Sequence, residues 1–415
     1  MRVEKLEGYL DRMRAGYKQA TTKTDKGRIL DAVCETLCCH RKSAIRMLGA
    51  SPTDPKRRPG RPPVYGPLVI EAVRRGWEAT DECCGKRLAP QLPVLLAVLE
   101  RHGELQLPNE LRAQAGHISA STIDRRLKSH RLQLGRRPFT SLRAPSAIKH
   151  QVPIRTFGDW SGVSAGQVQA DLVTHCGVTP QGRFVVTLTV VDVATGWTEC
   201  QAALGRDKHR VTGALHIARS RMPFPLVSLH TDNGAEFLND ALLGYCRKEA
   251  IGFTRGRAYK KNDQAWVEQK NGALVRRYAG YHRYEGKLAK ERLNYLYELL
   301  RLHQNYFQPL RKLVSKERQG AKVKKHFDVA ATPYQRLLAA GVLDEPTKKR
   351  LAAEYERLNP VKLIQAIDRA VQELVFAAEP RWGASAEPVP RSTRKRAPVP
   401  GARPKVDKDV SVTHL

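Results

Sequence analysis

The chain has 415 residues, 72 of them Lys or Arg and 41 Asp or Glu, for a formal net charge of +31 at pH 7. That length predicts about two to four domains, and the 41% hydrophobic content is ample for globular cores. The charge calls for a polyanionic partner, nucleic acid ahead of a membrane surface, since no strongly apolar interfacial helix accompanies it and no apolar run approaches the ~20 residues of a transmembrane helix.

Residues 1–50 read as a helical DNA-binding module. Met1 to Arg14 is charged throughout and shows no signal peptide. Thr24-Asp25 is placed to cap a helix with Ile29, Leu30, Val33 and Leu37 on its apolar face. After a break at Cys38-Cys39-His40, a second helix turns Ala44, Ile45 and Leu48 inward and leaves Arg41, Lys42 and Arg46 outside. Short helix, tight turn and basic second helix make the helix-turn-helix pattern, whose second helix enters the major groove. The plainer alternative is a helical hairpin with a solvated basic face. The eight cysteines include adjacent pairs but no Cys-x-x-Cys, and the thirteen histidines form no His-x₃₋₅-His pair. Neither a disulfide framework nor a zinc domain is expected, and the cytoplasm is the expected compartment.

Residues 51–67 form a Pro-rich linker. Its Arg57, Arg58 and Arg61 either enter a narrow minor groove or simply keep two modules apart. A second helical module follows over 68–134. Leu68, Val69, Ile70, Val73 and Trp77 begin it, and Leu92 to Leu99 is its most apolar helix. Near its end Ser119 or Ser121 caps a short helix. There Ile123 and Leu127, four apart, turn inward while Thr122, Arg125, Arg126 and Lys128 face solvent or DNA. Residues 135–154 are a basic connector.

Residues 155–308 carry the chemistry. Strands are expected at Gly166–Val173, Phe184–Val191 and Trp197–Leu204. A helix at about Val211–Arg221, a strand at Val227–His230 and a helix at Ala241–Glu249 follow. Asp171 lies on the first strand. Asp232 lies where the Val227–His230 strand meets an Asp-Asn-Gly turn, and Glu268 opens a polar helix. Three carboxylates on separate elements are what two hard divalent cations need for in-line phosphoryl displacement. Asp159 and Asp192 are rivals for the first position, but Asp192 sits at a hairpin, where Asp is common for turn reasons. Asn233 and Gly234 make the turn, and Glu236 is expected to orient its neighbours. Lys260 and Lys261, in a basic loop, are candidate phosphate contacts.

At Gln169-Ala170-Asp171, His230-Thr231-Asp232-Asn233-Gly234-Ala235-Glu236-Phe237 and Val267-Glu268-Gln269-Lys270-Asn271, the chain resembles the integrase core of the retroviral-integrase superfamily, as in transposases of bacterial insertion sequences. The resemblance runs from roughly Phe157 to Phe307, and the 35 residues between Asp232 and Glu268 match its commonest pattern. It implies a ribonuclease-H-like mixed sheet with Asp171, Asp232 and Glu268 holding two Mg²⁺, Mn²⁺ serving as substitute. One departure stands out: where many members carry a basic residue one or two turns after the glutamate, this chain has Gly272 and Val275. Lys270, Arg276 and Arg277 are the expected stand-ins on DNA.

An amphipathic helix at Leu288–Phe307 closes the core, residues 309–378 are expected to form a small basic helical region, and residues 379–415 a disordered basic tail. The whole reads as a multi-domain protein: N-terminal all-α helix-turn-helix modules, a central α/β ribonuclease-H-like sheet, and a C-terminal helical region. The expected function is a DNA transposase that cuts element ends and joins them to target DNA. It would act as a homo-oligomer on double-stranded DNA in the bacterial cytoplasm at the nucleoid, with a helper ATPase left open. The alternatives are a ribonuclease-H-like metal nuclease and a DNA-binding regulator with an inactive core.

Overall fold

The computed structural model describes residues 3–49, 64–130, 152–155, 160, 162–257, 261–320 and 322–378. Arg57, Arg58, Arg61, Lys260, the rival Asp159, nearly all of the 135–154 connector and the 379–415 tail lie outside the described residues. The chain divides into two compact units, Met1–Val64 and Tyr65–Leu415.

The first unit is three helices, α1 (Val3–Gln19), α2 (Lys23–Leu37) and α3 (Arg41–Gly49). Thr22, rather than Thr24, caps α2: its hydroxyl accepts from Asp25 N at 3.1 Å. Cys38 takes the left-handed conformation (φ 46°) that ends α2, so the break falls where the sequence places it. Leu30 and Val33 of α2 meet Ala44 and Leu48 of α3, with Tyr9, Met13 and Tyr17 packed around them. Ile45, expected inside, is 44% exposed. Ala44 and Leu48, four apart, define the inner stripe, and the next residue lies about 100° round the helix. Arg41, Lys42 and Arg46 are exposed, Arg41 beside Asp31.

The second unit opens with α4 (Pro67–Ala79), α5 (Gly85–Leu88), α6 (Leu92–Arg101), α7 (Asn109–Gly116) and α8 (Ala120–Arg126). Val69, Val73, Trp77, Leu92, Leu96, Leu99, Ile123 and Leu127 form one core. Leu68, at 65% exposure, and Val94, at 46%, lie outside it. Ser119 caps α8, accepting from Thr122 N at 3.3 Å. This leaves Arg125, Arg126 and Lys128 exposed and Thr122 half-buried. Gly85 sits against α8: its N–H donates to Asp124 Oδ1 at 2.8 Å, and a Cβ there would lie 2.2 Å from Ala120 O.

The centre is a five-stranded mixed sheet in the order β3-β2-β1-β4-β5. β1 (Gln167–Thr174), β2 (Val185–Asp192) and β3 (Thr198–Leu204) run antiparallel; β4 (Ser228–Thr231) and β5 (Gly252–Arg255) add in parallel to β1. β2 is buried along its whole length, which is why its β-branched run does not alternate. Helices α9 (Lys208–Arg221) and α10 (Asp240–Lys248) follow β3 and β4, capped by Asp207 and Asn239. A composite helix, α11, is α-helical over Ala265–Lys270, π-helical over Asn271–Arg276 and α-helical again over Arg277–Ala279.

α12 (Gly286–Phe307) packs on the sheet through Leu293, Leu296, Tyr297 and Leu300. The 309–378 region differs from the purely helical piece expected. It begins with an antiparallel ribbon, β6 (Leu313–Gln319) and β7 (Lys322–Phe327). α13 (Pro333–Ala339), α14 (Glu345–Arg357) and α15 (Pro360–Phe376) come next. α15 buries Leu363, Ile367, Ala370 and Leu374 in the same cluster as the sheet, while Val361 joins the core of the α4–α8 module. These last helices therefore complete the central core. No helix among the described residues is long and apolar enough to cross a membrane.

Candidate active site

Strand register brings two of the three carboxylates together. β1 and β4 run parallel with Gln169 opposite His230. Two residues further on, Asp171 is still on β1 while Asp232 has just left the end of β4. Asp232 is accordingly the strongest negative neighbour of Asp171, ahead of Glu236 and Glu268. Burial first, and then these charges, push the Asp171 carboxyl up to about 8. Asp171 as a whole residue is only partly buried, so it is the carboxyl end that is desolvated.

The turn after β4 is locked by its own polar groups. Asp232 Oδ1 accepts from Gly234 N at 2.9 Å. Asn233 donates to Gly256 O at 2.9 Å and accepts from Arg255 Nη1 at 3.0 Å, fastening the turn to β5. A Cβ on Gly234 would come within 2.7 Å of the Glu236 carboxyl carbon, so a side chain there would displace that carboxylate. Asp232 and Glu236 are both raised, burial being the larger cause in each. Beneath the turn His230 is buried, bonded to Thr254 Oγ1 at 3.0 Å and edge-on to Trp160 at 5.2 Å. Burial lowers it to about 4, so it is a neutral packing residue.

The third carboxylate comes on α11. Gln169, on the same face of β1 as Asp171, donates to Asp263 O at 2.8 Å and accepts from Val267 N at 3.4 Å. One side chain thus fixes the start of the helix that carries Glu268. Asn271, three residues after Glu268, donates to Asp171 Oδ2 at 2.7 Å and ties the same helix back to β1. Glu268 itself is exposed. Asp263 is fully buried and grips Arg257 through both carboxylate oxygens at 2.9 Å, which braces the loop leading into α11. Lys261 opens the 3₁₀ turn of that loop.

Asp192, the rival first carboxylate, is fully buried and accepts from Gly166 N at 2.9 Å and from Thr195 N at 2.7 Å. Its role is to hold the β2–β3 turn.

Three expected DNA contacts also have partners or burial within the protein. Arg276 donates to Thr174 O at 3.0 Å and lies over the Tyr281 ring. Arg277 pairs with Asp81 at 2.9 Å, joining α11 to the α4–α8 module. The Lys270 ammonium is desolvated, and burial with Arg87 nearby lowers it to about 7. Lys270 and Arg276 are partly buried, while Arg277 stays exposed beside Asp81.

Among the described residues no three His, Cys, Asp or Glu groups converge closely enough to enclose an ion. The donor chemistry nevertheless fits a hard divalent cation. Asp171, Asp232, Glu236 and Glu268 offer only carboxylate oxygens, and three of them are desolvated acids whose ionised forms a cation would favour.

A five-stranded mixed sheet flanked by helices, with acidic residues where β1 meets the end of β4, defines a ribonuclease-H-like integrase core, a fold of the polynucleotidyl transferase superfamily. Residues 164–261 match the family model of the integrase core domain. The chain is 44% identical over 337 residues to a Sinorhizobium fredii protein described as uncharacterized protein y4rM, covering 81% of this chain and 94% of that one. It belongs to the same family. Solved structures similar to part of it include the HTLV-2 integrase catalytic core domain in complex with magnesium, 18% identical, covering 28% of this chain and 72% of that chain with a TM-score of 0.23. Another is the catalytic core domain of BIV integrase, 19% identical, covering 42% and 95%, with a TM-score of 0.26.

Proposed function

We propose that the protein is a DDE-type DNA transposase: it hydrolyses a phosphodiester at each end of a mobile element and joins the freed 3′-hydroxyl to target DNA. The observation that carries this reading is the joint anchoring of Asp171, Asp232 and Glu268. The first two meet through strand register, and the third rides a helix tied to β1 by Gln169 and Asn271.

Asp171, Asp232 and Glu268 would hold two Mg²⁺, or Mn²⁺ in their place, with Glu236 supporting Asp232. Bound there, the ions supply Lewis-acid stabilisation to both oxygens of an in-line displacement. The chain's own share is positioning. Gln169 and Asn271 set the carboxylates, and Asn233 and Gly234 set the turn. In joining, the target P–O bond breaks as the new one forms, and the departing 3′-oxygen takes up a proton. No bond to the protein is required. Element ends must be paired before joining, which calls for a homo-oligomer on double-stranded DNA. Arg41, Lys42 and Arg46 on α3, and Thr122, Arg125, Arg126 and Lys128 on and after α8, are the residues assigned to element ends. Arg57, Arg58, Arg61, Lys260 and Lys261 are assigned to phosphates alongside. A bacterial cell, with the protein at the nucleoid, is the proposed setting.

The test uses the full chain, a labelled duplex carrying the terminal repeat, a supercoiled target and Mg²⁺. Nicking at the repeat's end and joined product are expected from the wild type. Both should be lost in Asp232→Asn and Glu268→Gln while duplex binding persists. Cleavage that survives both substitutions would refute the assignment.

A further inference from the structure

We propose that the β6–β7 ribbon is a separate DNA-binding arm that lies in a groove of the duplex held by the same protein. The inference rests on the DNA-acting reading above and adds a binding element to it.

The ribbon is fixed at its root and bare beyond it. At the root, Leu310 and Ala331 exchange backbone hydrogen bonds at 3.0 and 3.1 Å. Asp328 accepts from Lys312 N at 2.6 Å and pairs with Arg336 at 2.7 Å. Lys312 Nζ reaches Ala194 O in the β2–β3 turn. From Leu313 to Gln319 every residue is exposed, Val314 at 70%, and on the return strand Val323 is 45% exposed. A two-stranded hairpin without a covered face is marginally stable in water. This one is built to be covered.

Register then sorts its charges. Lys316 stands opposite Lys325 and Arg318 opposite Val323, so with strand alternation Lys316, Arg318, Val323 and Lys325 share one face. The other face carries Glu317 opposite Lys324, with His326 3.2 Å from Glu317. Like charges directly opposite each other destabilise a ribbon. The Lys316–Lys325 pairing and Arg318 concentrate positive charge on that face. Between Leu313 and Phe327 the sequence has five Lys or Arg and one Glu. A second copy would bring the same excess and be repelled, whereas a phosphate backbone matches it. The dimensions agree: two strands about 4.8 Å apart fit a major groove about 12 Å wide.

The arm is also remote from the chemistry. Its root meets the β2–β3 turn, at the sheet end where β1 begins, whereas Asp232 leaves the opposite end of β4. It would grip DNA away from the scissile phosphate.

The experiment compares the full-length wild type with Lys316→Gln/Arg318→Gln/Lys325→Gln and with a control of equal charge loss, Lys248→Gln/Lys349→Gln/Arg350→Gln. Binding to a 30-base-pair duplex is measured across a salt series, with cleavage, oligomeric state and thermal midpoint alongside. Giving up three phosphates should flatten the slope of log K against log salt by about 2.7 in the ribbon variant and leave the control's slope nearer the wild type's. Its thermal midpoint should stay near the wild type's, since all three side chains are exposed. Equal slopes for the two variants, with a wild type that binds and cleaves, would overturn the arm while leaving the transposase reading intact. A ribbon variant that binds normally but sediments as a smaller oligomer would also overturn it, making the ribbon a subunit contact. A wild type that binds no duplex would refute both.

Discussion

Asn271 donates to Asp171 Oδ2 at 2.7 Å across the gap between α11 and β1. The bond falls at the first residue of the π-helical stretch, three residues beyond Glu268. A π turn is wider than an α turn and is tolerated mainly where a function uses the displacement. Here it follows the helix segment that carries Glu268, and its own Leu274 and Val275 are buried in the core. Asn271 Oδ1 is buried without a hydrogen-bond partner among the described residues. The side chain is therefore oriented by its donor, and the donor by Asp171.

Removing that donor leaves Asp171 held through Oδ1 by the Leu172 N–H, at 2.8 Å, with Oδ2 released, and loosens the helix carrying Glu268. Asn271→Ala should lower cleavage and joining about 10- to 100-fold, the usual effect of losing a partner that orients a ligand. Duplex affinity should stay within about twofold of wild type. Single-turnover rates and a gel-shift titration on the same preparation check this, and an equal loss of binding would make Asn271 a general structural residue instead.

Gly85 tests the packing of the second helical module. A methyl there would meet the Ala120 carbonyl at 2.2 Å, and backbone yields far less than the tip of a side chain. Gly85→Ala should destabilise by at least the ~1–3 kcal/mol typical of overpacking, read from urea unfolding. Since α8 carries Arg125 and Arg126, duplex binding should weaken as well.

The antiparallel strands, both long helices of the core and the order of the carboxylates were legible because period and residue type agreed there. β5 was not: Gly-Phe-Thr-Arg is four residues with no alternation to read, and it exists because β4 offers it a partner. Gln169 and Asn271 lay inside the motifs, but an amide's role depends on what faces it across the fold. The internal partners of Lys270, Arg276 and Arg277 are hidden for the same reason. A cation in a basic run looks solvated until Asp81, the Thr174 carbonyl and burial take it up. The ribbon is not legible as strand because its charged residues hide the alternation. Its faces emerge only with the register.

His175 gives a pH prediction. It is fully buried, bonded to Thr187 Oγ1 at 2.8 Å, and burial lowers it to about 3. The unfolded chain takes up this proton below about 6.5, whereas the folded protein resists until about 3. Stability from the neutral ring is therefore present above about 6.5 and is lost as the pH falls toward 3, with a slope of at most about 1.4 kcal/mol per pH unit. His175→Gln should be less stable at pH 7 but show a shallower acid limb in urea midpoints between pH 6.5 and 4. Parallel limbs for the two proteins would contradict this.

Divalent cation gives the last prediction, through the opposite sign. Asp171 is raised to about 8, so without a cation the stability linked to its protonated form is intact below about 4 and drains as the pH rises through 8. A cation takes the proton's place, and its advantage grows over that same window. The thermal midpoint gained from Mg²⁺ should be larger at pH 8.5 than at pH 6, approaching the equivalent of ~2.7 kcal/mol at 100 times the dissociation constant. Chelator should reverse the gain. Asp171→Asn and Asp232→Asn should abolish it, and Asp171→Asn should also flatten the metal-free decline between pH 6 and 8.5. Asp192→Asn separates the rivals: it should keep the cation response, because that carboxylate is spent on the Gly166 and Thr195 amides. A Mg²⁺ gain lost in Asp192→Asn and kept in Asp171→Asn would move the site to the β2–β3 turn.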